Sequence, residues 1–198
     1  MFGYERSALV DLDIVNPYFR SREREELLAG HGISVYGSFF GGSVTAEIPE
    51  LSPTVRIPLE DKCTFTVVDA GGNEAGARVL RQFVKYFTYD SSSLWLVVNA
   101  NRPETKNLEG ALKHLDAIER ETGRSVDGIV NNSHLLLETK AEDILRGHML
   151  CLEICSRKNI PLVFDCYPSA LVGEDELSSM GGKLMPIGMY MRESWLDK

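Results

Sequence analysis

Short apolar, β-rich runs alternate along this chain with longer segments whose apolar residues recur at helical spacing. That alternation limits the fold more than any single motif does. Runs of strand character fall at 8–14, 34–36, 65–69, 94–99, 128–131 and 161–164. The stretch LWLVV (94–98) is apolar throughout, as expected of a parallel strand covered on both faces. Between the runs the spacing predicts helices over about 75–86, within 105–123 and over about 139–158. In the second of these, Leu108, Ala111, Leu112, Leu115 and Ile118 share one face and Gly123 supplies the stop. In the third, Ile144, Met149, Leu152 and Ile154 are among the apolar positions. Strand, helix, strand in repetition predicts an α/β fold of three layers, a mainly parallel sheet with helices on both faces.

The chain has 198 residues, 43% hydrophobic and 25% charged, which suffices for one sizeable core, so a single domain over 1–198 is expected. Residues 37–62, with Gly41, Gly42 and three prolines, read as an irregular excursion, and 169–198 as a tail of unassigned structure. Twenty-one Lys and Arg against 29 Asp and Glu give a net charge of -8, a field that repels nucleic acid and anionic lipid. The one basic cluster, YFRSRER (18–24), is diluted by Glu23, Glu25 and Glu26, so no direct nucleic-acid partner is expected. No apolar run reaches the roughly 20 residues of a membrane span, and MFGYERSA has no signal core, so the expected location is cytoplasmic. Cys63, Cys151, Cys155 and Cys166 form no CxxC pair and read as buried free thiols. The four His (His31, His114, His134, His148) read as surface or cap residues.

In parallel sheets ligands bind beyond the carboxyl ends of the strands. There the first strand offers Asp11 and Asp13, the third VVDAGGNEAG (67–76), the fourth VVNANRPET (97–105), the fifth GIVNNSH (128–134) and the sixth FDCYP (164–168). TFTVVDAGG fits a strand that presents one Asp, Asp69, to the water shell of Mg²⁺, while Gly71 and Gly72 let backbone N–H groups approach a terminal phosphate. An ordinary turn after a strand has the same pattern. Asp11 and Asp13 point the same way if the strand continues that far, and could orient a water or hold a metal's outer shell. Equally they could cap the turn that Asn16-Pro17 announces. Asn131 could read a base edge or be a satisfied turn residue.

Together, ALVDLDIVNPYFRSRE, DAGGNEAGAR, LVVNANRP and GIVNNSHL, in this order over about 8–168, resemble the ParA/MinD/CobQ-type nucleotide-binding proteins of the SIMIBI class of P-loop NTPases. The resemblance implies a P-loop NTPase-like fold and an ATPase that works as a Mg-ATP-dependent switch, dimerising with itself or joined to a partner protein. It implies that Asp13, with Asp11, is the switch I carboxylate that positions water, and that Asp69 is the Walker B residue for Mg²⁺. Gly71 and Gly72 correspond to switch II near the γ-phosphate, and Asn131, with Asn132, to the adenine side.

The departure is equally specific. No lysine in the chain is followed by Ser or Thr, so there is no GxxxxGK[ST]; Gly181-Gly182-Lys183 comes nearest and is followed by Leu184. The chain is therefore expected to lack the family's first strand, Walker A loop and first helix, as if truncated at its N-terminus. Without those amides and that Lys the remaining carboxylates repel phosphate, and hydrolysis by this chain alone is not expected. The lost strand would leave a sheet edge open to another chain. Two other readings stay open: a degenerate, non-hydrolysing interaction module on the same scaffold, and an unrelated α/β enzyme with a metal-assisted site using Asp69, Asn131 and Arg102.

Overall fold

The computed structural model describes residues 4–13, 24–37, 53–188 and 190. They fall into two compact units, one within 1–86, to which Tyr190 belongs, and one within 87–189.

In the first unit, β1 (Arg6–Asp11) is the central strand of a parallel three-stranded sheet, between β2 (Ile33–Tyr36) and β3 (Thr64–Asp69). Ala8 and Val10 on β1 and Leu12 just beyond it are buried. The register sets Asp11 beside Asp69, so both strands end at the same level. The predicted first strand was longer; it stops at Asp11, and Ile14 lies outside the described residues. Two short helices occur where none was predicted: α1 (Glu25–Gly30) before β2 and α2 (Arg56–Glu60) before β3. The Thr66 hydroxyl donates to the Pro58 carbonyl (3.0 Å) and fixes α2 on β3. After β3 comes α3 (Glu74–Arg81), started by Asn73, whose Oδ1 accepts from the Gly76 N–H (2.9 Å). The helix was expected to reach Tyr86. Instead Gln82 and Phe83 donate to carbonyls three residues back, which tightens the coil, and 84–86 form a separate 3₁₀ turn.

The second unit is a parallel sheet of β4 (Trp95–Val98), β5 (Gly128–Asn131), β6 (Leu162–Pro168) and β7 (Leu184–Ile187), in that spatial order. Between β4 and β5 runs α4 (Leu108–Thr122), capped by Asn107 Oδ1 on the Gly110 N–H (2.9 Å) and ended by Gly123 in the left-handed region (φ 70°). Ala111, Leu115 and Ile118 on its predicted apolar face are buried. Between β5 and β6 runs α5 (Ala141–Lys158). Its first turn is tied by the Lys140 N–H donating to Asp143 Oδ2 (3.1 Å), and it ends at Asn159, also left-handed (φ 55°). Ile144 and Ile154 are buried as the pattern implied, but Met149 and Leu152 are 59% and 42% exposed.

Strand β6 extends past the predicted Phe164, and β7 lies inside the tail that periodicity left unassigned. A short four-residue strand containing Pro186 has no legible period. The tail also supplies Val172, Leu177 and Met180, which pack with Ile144 and Tyr167 into one buried cluster. The fold is thus α/β, with parallel sheets and helices. Among the described residues no helix is long and apolar enough to cross a membrane.

Candidate functional site

The rim of the first sheet collects most of the predicted residues. Because β1 and β3 run parallel in register, their terminal residues Asp11 and Asp69 are neighbours, and the Leu12 N–H donates to the Asp69 carbonyl (2.8 Å) as the ladder closes. Asp11 is buried, and its Oδ1 accepts from the Asp13 N–H (3.0 Å). Asp11 therefore makes the turn in which Asp13 sits, and Asp13 leaves the strand direction. The Asp13 carboxylate then lies over Gly71: a Cβ added there would stand 3.0 Å from Asp13 Oδ1. Beneath, Gly71 meets Gly76 of α3 backbone to backbone, so that a Cβ at Gly76 would overlap the Gly71 carbonyl. Gly72 opens to free space, where a Cβ would meet nothing within 4 Å. The segment DAGGNEAG thus becomes strand end, tight turn, Asn cap and helix start, with Asp11, Asp13, Asp69 and Gly71 brought together. Among the described residues, no group of three or more His, Cys, Asp or Glu is arranged to hold a metal ion by itself.

Asn131 and Asn132 belong to the second unit. Asn131 is fully buried. Its Nδ2 donates to the Ile144 carbonyl (3.1 Å) and to Asp165 Oδ1 (2.8 Å), and its Oδ1 accepts from the Ser133 N–H (3.2 Å). Both amide hydrogens are engaged inside the unit, which is the geometry of a satisfied turn residue. Asn132 is half-buried and donates its N–H to the Val98 carbonyl (2.8 Å). Arg102, exposed, sits in the loop after β4, where its N–H donates to the Asn99 carbonyl (3.0 Å).

The group that holds Asn131 in place is not legible in the sequence as a site. Asp165, fully buried in the middle of β6, also pairs through Oδ2 with His148 Nδ1 (2.9 Å). His148 is thus a buried, bonded residue of α5 rather than a surface or cap one. Helix and sheet approach this closely because Gly147 has no side chain; a Cβ there would overlap Ser133 Oγ and Asn131 Oδ1. The only sequence signal is helical spacing: Ile144, Gly147, His148 and Cys151 fall on one face of α5.

The three buried thiols, Cys151, Cys155 and Cys166, are held in the protonated form near neutrality. Burial, with the Asp165 charge adding to it, pushes Cys155 and Cys166 up to about 11 and raises Cys151 as well. Cys63, expected to be buried, is exposed. The reason is position: it lies in the turn just before β3, outside the packed strand.

No family model matches the chain, and no curated protein matches it. Among solved structures, the Bacillus cereus enoyl-acyl carrier protein reductase, crystallised with NADP⁺ and an indole naphthyridinone, is similar at 12% identity over 84% of this chain and 74% of its own, with a TM-score of 0.27.

Proposed function

We propose that this chain carries the catalytic rim of a Mg-ATP-dependent switch of the ParA/MinD/CobQ type. The observation that supports it is the Asp13 carboxylate resting on Gly71, at the rim where β1 and β3 end side by side in Asp11 and Asp69. These are the residues to which the resemblance assigns the water-positioning carboxylate, the γ-phosphate glycine and the Walker B residue.

The donor set fits Mg²⁺ held jointly. This ion keeps several waters and takes one or two carboxylates together with substrate phosphates, so a site without a protein cage suits it. Asp69 would hold its water shell, and the bound ion would supply the positive charge that lets a phosphate approach a carboxylate rim. Asp13, oriented by the turn that Asp11 makes, would accept a hydrogen bond from an attacking water. Gly71 and Gly72 offer backbone N–H groups without a side chain in the way. Within the second unit Asn131 is engaged in its internal bonds, and the Asn132 side chain, which has no bonded partner among the described residues, is the amide left for a base.

The phosphate cradle is not among these residues, because the sequence holds no GxxxxGK[ST]. Nucleotide affinity therefore depends on a phosphate loop supplied from outside them. Calorimetric titration with Mg-ATP tests this. The 198-residue chain alone should show no tight binding, and the chain joined in front of Met1 to a strand, phosphate loop and helix should bind at about micromolar Kd, roughly -8 kcal/mol. Equally tight binding by the chain alone, or none by either, would contradict the proposal.

A further inference from the structure

The solvent face of α5 carries a charge pattern that is its own complement when the helix direction is reversed. Glu142, Arg146, Met149, Glu153 and Arg157 follow one another at three- and four-residue steps and so form one stripe, opposite the buried Ile144, Cys151 and Ile154. Positions 142 and 157 are symmetric about a point between 149 and 150, and so are 146 and 153. In an antiparallel pair of α5 helices each Glu therefore meets an Arg: Glu142 faces the second copy's Arg157, and Arg146 its Glu153.

Intrahelical pairing does not account for the pattern. Glu142 with Arg146 and Glu153 with Arg157 have the four-residue spacing that favours ion pairs within a helix. Yet Glu142, Glu153 and Arg157 have no ion-pair partner among the described residues. Arg146 turns away instead, its Nη2 donating to Asp143 Oδ1 (2.9 Å) and to Asn101 Oδ1. Its remaining guanidinium donors stay available. At the centre of the stripe stands Met149, 59% exposed, with Leu152 beside it, 42% exposed. Together with Leu108 of α4 they line a groove of about 400 Å³, bordered by Glu153, Ser156 and Arg157.

We infer that the exposed face of α5 is the seam of a homodimer, in which two copies cross antiparallel near Met149. The seam forms independently of nucleotide. Met149 of each copy enters the groove of the other, where an unbranched thioether fills irregular space well. The reciprocal Glu–Arg contacts fix direction and register, as charges flanking an apolar seam do in paired helices.

The test uses the full chain without nucleotide. Sedimentation velocity should show a concentration-dependent dimer. E153R and R146E alone each place like charges together twice per dimer and should weaken it roughly tenfold or more. Mixed in equal amounts they should form a heterodimer, because every contact is then opposite again. This recovery is specific to the antiparallel register. In a Cys63→Ser background, Met149→Cys should cross-link under mild oxidation. Ser156→Cys, on the same face, should not, because position 156 faces 143 of the second copy and the two substituted positions stand thirteen residues of helix apart, about 20 Å along the axis. A wild-type chain that stays monomeric at every soluble concentration would overturn the inference. So would E153R and R146E that fail to associate on mixing, or equal cross-linking at 149 and 156.

Discussion

Gly76 shows how one missing side chain can position a rim. Replacing a helical glycine with alanine ordinarily stabilises by up to about 1 kcal/mol. Here the new Cβ would overlap the Gly71 carbonyl, and backbone cannot swing aside as a side chain can. We expect Gly76→Ala to destabilise by about 1–3 kcal/mol in chemical denaturation. Gly72→Ala, at a position with open space, should stay within about 0.5 kcal/mol of wild type. A second residue-scale effect concerns His134. Burial first, and then the Arg102 charge, hold its pKa below the ordinary value. The unfolded chain therefore takes up the proton more readily, and stability falls as pH drops below the unfolded value of about 6.5 and levels off below the folded one. Thermal unfolding of wild type and His134→Gln should diverge in the variant's favour as the pH is lowered through about 6.5. A difference that stays constant through that pH would refute the assignment.

At the scale of elements, the two Asn caps make α3 and α4 start where they do. Asn73→Ala and Asn107→Ala should each lower stability by about 1 kcal/mol, and Asn107→Asp should lose much less, because a carboxylate caps equally well. Helix α4 was legible in the sequence because both of its signals are local: an apolar stripe and a stop glycine. The extent of α5 was legible for the same reason, but not which apolar residues it buries. Met149 and Leu152 differ from Ile144 and Ile154 in the direction they face, not in their hydropathy, and direction is set by where Gly147 lets the helix approach β5. Strand β7 was illegible because parallel pairing with β6 is a long-range event, and LMPI carries no alternation. The rim followed the same division. That Asp69 ends its strand could be read locally, whereas the stop of β1 at Asp11 and the turn that sends Asp13 over Gly71 depend on a side chain to backbone bond that no period encodes.

Over the whole molecule, the residues assigned to one nucleotide by resemblance are carried by two compact units, the carboxylates and glycines by the first and the asparagines by the second. The net charge of -8 makes the demand on a cation plain, since a triphosphate approaching Asp11, Asp13 and Asp69 meets charge of its own sign. Mg²⁺ resolves this if Asp69 holds its water shell. The most direct measurement is therefore the rate of ATP hydrolysis against Mg²⁺ concentration, for the chain joined to a phosphate-loop unit, with and without Asp69→Asn. The substitution should shift the Mg²⁺ dependence to higher concentration and lower the maximal rate by roughly 10²-fold, the scale of losing one electrostatic contact to the transition state. An Asp69→Asn protein with the wild-type Mg²⁺ profile and rate would contradict this.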